Sequence, residues 1–168
     1  MLAYRTLAKK SVVQLRAPKF YLQRVREYAR HRLGYDIVRY GPRSHPVARR
    51  ARLMETYDVD VVYDVGANIG QYGRQLRSSG YRGRILSFEP LASAYTVLLA
   101  ESSKDPLWKV YDFALGRSVT TAKINIAGNS VSSSILPMLE AHASAAQGSA
   151  YVGVEPVPLV KLDSAAPA

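Results

Sequence analysis

Asp64-Val65-Gly66-Ala67-Asn68-Ile69-Gly70 is the stretch on which the fold turns. It closes a β-rich run, Val59-Asp60-Val61-Val62-Tyr63-Asp64-Val65, and opens a helical stretch from Ile69 to about Ser79 that Gly80 ends. A strand that stops at a glycine and passes directly into a helix is the junction where open α/β sheets bind ligands. Further along, Arg84-Ile85-Leu86-Ser87-Phe88 reads as a second strand, stopped by Glu89-Pro90. Leu91 to about Ser102 reads as a helix with Tyr95, Leu98 and Leu99 on one side, and Trp108-Lys109-Val110-Tyr111 as a third strand. Strand–helix–strand–helix–strand at this spacing predicts an α/β fold: right-handed crossovers and a parallel sheet in the order 3-2-1.

On either side the pattern changes. Upstream, Gly41-Pro42 and Ser44-His45-Pro46 mark a break, followed by a short helix from Val47 to Tyr57 with Leu53 and Met54 turned inward. Downstream, Ala122 to Ile126 and Val154 to Leu162 read as two strands that pair as a β-hairpin insertion. Pro156 and Pro158 lack backbone donors and favour a sheet edge. Between those strands, Gly128 to Gly148 is rich in Ser, Ala and Gly and reads as a mobile loop.

The 168 residues are 48% apolar and 21% charged, which excludes a disordered chain. With no cysteine and three scattered histidines (His31, His45, His142), thiol chemistry is excluded and no metal site is expected. The formal charge of +10 is concentrated at one end. Residues 1–52 hold 14 Lys or Arg against Glu27 and Asp36, a net +12, and the remainder carries −2. The sequence is therefore divided into a basic helical segment, 1–52, and a ligand-binding domain, 53–168. Within the first, Leu22, Val25, Ala29 and Leu33 follow helical spacing among arginines, predicting a cationic amphipathic helix from about Pro18 to Leu33, terminated by Gly34. Such a helix suits an anionic membrane surface. An Arg-rich start is also the make-up of a transit peptide, but this one is poor in Ser and runs into a structured segment. No secretory apolar region precedes it, so a cytoplasmic location is expected, peripheral at the inner membrane face.

The ligand class follows from the strand ends. The turn is Gly-x-Asn-x-Gly, where a pyrophosphate-binding turn would need Gly-x-Gly-x-x-Gly, and there is no P-loop. Asp64 at the first strand end disfavours a polyphosphate and suits a zwitterionic sulfonium cofactor. Glu89 lies nineteen residues after Gly70, at the tip of the second strand, where a carboxylate can hold ribose hydroxyls. Asp112 ends the third strand, near the place of an adenine amino group. Singly, these are ordinary residues: a tight turn, a charge at a helix N-terminus, a turn aspartate. Together, on successive strands of one unit, they point to a nucleoside cofactor.

Val61 to Gly73, with Ile85-Leu86-Ser87-Phe88-Glu89-Pro90, Phe113-Ala114-Leu115-Gly116, Ser132-Ser133-Ser134 and Val160-Lys161-Leu162-Asp163-Ser164, resembles the FkbM-type S-adenosylmethionine-dependent methyltransferases. The resemblance implies a Rossmann-like class I methyltransferase fold and methyl transfer to the hydroxyl of a sugar, glycolipid or natural product. It implies that Asp64, Gly66, Asn68 and Gly70 line the methionine end, with Ala67 also among the cofactor-binding residues. Glu89 would hold the ribose, and Asp112, Phe113 and Ala114 would border the adenine. No general base can be named. Against the family's pattern, the strand expected after Leu162-Asp163-Ser164 is missing, so the fold is expected to be incomplete: three parallel strands plus the hairpin, with Asp163 capping a last helix. The first strand would become an unprotected edge at Val61, Val62 and Val65, open to pairing with another chain. The other readings are a non-catalytic half-domain completed by such a chain, and a basic RNA-binding relative, against which the absence of an aromatic RNA-binding signature counts.

Overall fold

The computed structural model describes residues 19–129, 131–139 and 148–165, which fall into two compact units, Met1–Tyr40 and Gly41–Ala168. In the first, Lys19–Tyr28 is an α-helix (α1) that widens into a π-helical turn over Ala29–Leu33. The expected continuous α-helix gives way there because Gly34, at φ 70°, donates its N–H to the Ala29 carbonyl, five residues back. The absence of a Cβ makes that left-handed terminus accessible. The expected start at Pro18, and His142 in the loop, lie outside the described residues.

The second unit begins at the Gly41-Pro42 break. Its first helix, Pro46–Thr56 (α2), starts on a proline, which has no N–H to leave unpaired there. Met54 packs on the core, whereas Leu53, also expected inward, is exposed. Val61–Val65 (β1), Gln71–Ser78 (α3), Arg84–Phe88 (β2), Ala92–Ser102 (α4) and Trp108–Tyr111 (β3) then alternate, and the strands form a parallel sheet in the order β1-β2-β3. The order and the bounds of β2 and β3 are those read from the sequence. β1 starts later than Val59: Asp58, at φ 48°, and Val59, bonded to the Met54 carbonyl, still belong to the turn after α2.

Parallel register places Val62 beside Ile85 and Ile85 beside Trp108. These three side chains share one face of the sheet and form the core with Leu76 of α3 and Leu98 of α4. Val62 is thus buried; of the strand-one residues expected to be unprotected, Val65 is the exposed one and Val61 is half-buried. On α4 the buried stripe is Ala94, Leu98 and Ser102, and Leu99, one residue off that stripe, faces solvent. At the amino-terminal ends of the strands, Arg77 donates to Asp105 at 2.6 Å and to the carbonyls of Tyr81 and Gly83, fixing that end of the scaffold.

The hairpin belongs to a second, mixed sheet. Ala114–Leu115 (β4), Thr120–Ala127 (β5) and Tyr151–Val160 (β6) lie in the order β4-β6-β5, with β5 and β6 antiparallel. β6 is therefore the middle strand and not the expected edge. Its prolines are tolerated because β4 pairs only with Leu159 and Val160, leaving Pro156 and Pro158 a flank where no donor is demanded. Within the Ser-rich loop, Ser134 exchanges two backbone hydrogen bonds with Asn125, at 2.8 and 3.0 Å, so part of it runs along β5. Leu162–Ala165 (α5) is a single turn. Asp163 lies in that turn, not at the cap, since the Lys161 carbonyl already receives Ser164 and Ala165.

Candidate functional site

Three left-handed residues in five positions shape the turn after β1: Gly66 at φ 74°, Asn68 at φ 50° and Gly70 at φ 83°. Glycine and asparagine are the residues for which this conformation costs least. The N–H groups of Gly66 and Ala67 both donate to the Phe88 carbonyl, at 2.9 and 3.1 Å, tying the turn to the end of β2. Glu89 completes the junction. One carboxylate oxygen accepts from Asn68 N–H at 2.8 Å and the other from Leu91 N–H at 2.9 Å.

A cavity of about 500 Å³ opens at this junction, within the size range of small-molecule sites. Asp64, Gly66, Ala67 and Asn68 form its floor, with Gln71 and Tyr72 from the start of α3. Phe88, Glu89, Pro90 and Leu91 form a second side, and Ala114, Leu115, Ile124, Val131 and Ser133 bring the small sheet and its loop in as a third.

Two carboxylates at one cavity need support. Asp64 is buried and accepts from the Ser87 hydroxyl at 3.1 Å, and the same Ser87 oxygen accepts from Trp108 Nε1 at 2.9 Å. This relay crosses all three parallel strands and fixes one side of the Asp64 carboxylate. Burial raises its pKa above 3.8, and the Ser87 hydrogen bond opposes the rise. Burial also raises Glu89 above 4.5; the Leu91 and Asn68 N–H groups oppose this, while the charges of Asp64 and Glu155 add to it. Glu155, on β6, accepts from Ala92 N–H at 3.1 Å and so joins the small sheet to the first turn of α4.

Of the nine residues singled out in the sequence, the structure gathers six around the cavity: Asp64, Gly66, Ala67, Asn68, Glu89 and Ala114. Gly70 faces the core instead, where a Cβ would stand 3.0 Å from Leu98 and 3.2 Å from Trp108. Asp112 is exposed and lies outside the lining. Phe113 packs its ring on Phe88 and Tyr111, at 5.6 and 5.5 Å, as support for a lining residue. Ser87 and Glu155 escape the sequence reading. A serine inside Ile85-Leu86-Ser87-Phe88 does signal a buried hydroxyl in need of partners, but nothing local marks Glu155.

The Methyltransferase FkbM domain family matches residues 64–167. The chain belongs to the FkbM methyltransferases. No curated protein and no solved structure matches it.

The FkbM match opens at Asp64, the penultimate residue of β1, and takes in Glu89, the small sheet and the loop carrying Ser133. This is an S-adenosylmethionine-dependent family, and the donor set fits that cofactor. At Gly66 a Cβ would meet nothing within 4 Å, so the turn offers bare backbone to the open cavity. Beside it stand two carboxylates, suited to a cationic, hydroxyl-rich ligand, and the N-terminus of α3, whose first-turn N–H groups have no partner within the helix itself.

Proposed function

We propose that the chain binds S-adenosylmethionine in this cavity and transfers its methyl group to the hydroxyl oxygen of a sugar, glycolipid or natural-product acceptor. One observation carries the reading: Asp64 and Glu89, both buried, flank one cavity from the ends of adjacent parallel strands. When bound, the cofactor supplies a methyl group on a sulfonium centre.

The chain's own part is orientation. Each Glu89 oxygen already accepts one backbone N–H and keeps a lone pair for a ribose hydroxyl. Asp64, held by Ser87, offers its remaining acceptor positions and its charge to the methionine end. Ile124 and Leu115 from the small sheet supply an apolar wall. Among the described lining residues the ionisable groups are Asp64, Glu89 and Tyr72, and both carboxylates are engaged. Rate enhancement at the acceptor oxygen then rests chiefly on alignment.

Calorimetric titration with S-adenosylhomocysteine tests the reading, with Asp64→Ala and Glu89→Ala as controls. Measurable binding by the unaltered chain, lost in both variants, is the expected result. A folded chain that ignores the ligand would overturn it. Label transferred from S-adenosylmethionine to amine acceptors, and not to hydroxyl acceptors, would overturn the oxygen assignment alone.

A further inference from the structure

The first unit presents a surface that the methyl-transfer reading leaves unused. Helical spacing gathers Tyr21, Leu22, Val25 and Tyr28 on one side of α1, with Arg24 and Arg26 at its borders. These apolar side chains are not spent on a core. Leu22 is 53% exposed and Val25 50%, and Tyr21, Tyr28 and Leu33 are also exposed. Among the residues of this unit whose side chains are described, Ala29 alone is buried. Past Gly34, Tyr35, Ile37, Val38 and Tyr40 are exposed as well. The charge is one-sided: over residues 19–40, Glu27 and Asp36 face six Lys or Arg, and Asp36 is taken up by Arg26 and Arg30, at 3.8 and 3.0 Å.

We propose that residues 19–40 form a docking surface for an anionic lipid bilayer, on which α1 lies in the interface plane. Two features select this occupant. Cationic side chains bordering an apolar face match anionic headgroups above acyl chains, and tyrosines favour the boundary between them. Each Lys or Arg near such a surface contributes about 1 kcal/mol, enough in sum for reversible attachment. A nucleic acid would reward the charge but gives exposed leucine and valine nothing to pack against. The inference is independent of the cofactor assignment, because no residue of the cavity takes part.

The experiment is co-sedimentation of the full chain with vesicles of phosphatidylcholine mixed with phosphatidylglycerol, and with vesicles of phosphatidylcholine alone. Anionic vesicles are expected to bind on the order of tenfold better or more, with affinity falling as salt rises. The double variant Leu22→Ser/Val25→Ser keeps every charge and is expected to lose most of that binding. Trp108, the single tryptophan, sits in the core of the other unit, so its fluorescence reports that this unit is intact, and far-ultraviolet circular dichroism reports whether α1 keeps its helix. Equal binding to both vesicle types, or undiminished binding by the double variant, would overturn the proposal. So would preferential capture of polyuridylate that both chains share, which would assign the surface to RNA.

Discussion

Asp64 and Glu89 hold the cavity together and also strain it. Both are raised above their ordinary values of 3.8 and 4.5, chiefly by burial, so the folded chain holds these protons more tightly than the unfolded chain. Their contribution to stability is therefore most favourable at low pH and is lost as pH climbs from those ordinary values through the raised ones. Asp64→Asn keeps an acceptor for the Ser87 hydroxyl and removes the buried charge. Its melting temperature at neutral pH is expected to equal or exceed that of the unaltered chain, with a flatter dependence on pH above the ordinary carboxylate range. Affinity for S-adenosylhomocysteine should fall about tenfold or more, the weight of a hydrogen bond to a charged group. A variant that melts well below the parent would mean that the Asp64 charge stabilises the fold. Both carboxylates are legible in the sequence because each stands within two residues of the one that stops its strand, Gly66 or Pro90. The Ser87 relay is not legible in full, since its partners, Asp64 and Trp108, come from two other strands and meet only in the parallel register.

Close approach of α3 to the sheet decides which glycines are indispensable. A Cβ at Gly73 would overlap the Trp108 ring, and at Gly70 it would press on Leu98. Gly73→Ala is consequently expected to destabilise the chain by ~1–3 kcal/mol, the cost of overpacking, although alanine is the better helix former by about 1 kcal/mol. Urea unfolding followed by Trp108 fluorescence measures this, and an unchanged midpoint would show that the indole moves aside freely. The alternating elements are legible because local signals bracket them: Pro90 stops β2, Gly80 closes α3, and apolar runs fill the strands between. What is not legible is set by pairings distant in sequence. β6 becomes a middle strand only because Ala114 and Leu115 return to Leu159 and Val160. The π-helical turn after α1 closes where Gly34 and Tyr35 N–H both donate to the Ala29 carbonyl, a pairing that no periodicity announces.

At the scale of the chain, the charge division is visible in composition and the break at Gly41-Pro42 falls at the boundary between the two compact units. The free flank of β1 has its own consequence. Asp60 and Gly66 bond to β2, at 2.7 and 2.9 Å, so the alternate residues Val61, Tyr63 and Val65 turn their backbone groups the other way. Among the described residues no strand lies on that side. Tyr63 and Val65 are 41% and 59% exposed there, a combination of open donors and apolar surface that invites pairing with another chain. Light scattering across a concentration series should therefore show the apparent mass rising above that of one chain. Tyr63→Lys places a charge on the edge at a residue that is not itself part of the cavity lining and should hold the chain monomeric. It gives up the flat contact of Tyr63 with Phe88, 6.3 Å between ring centres, at a cost of about 1 kcal/mol. The Leu22→Ser/Val25→Ser variant separates this association from any driven by α1: it should associate as the parent does. Association abolished in that variant and retained in Tyr63→Lys would move the contact from the sheet edge to the first unit. A parent chain that stays monomeric throughout would mean that water alone satisfies the edge.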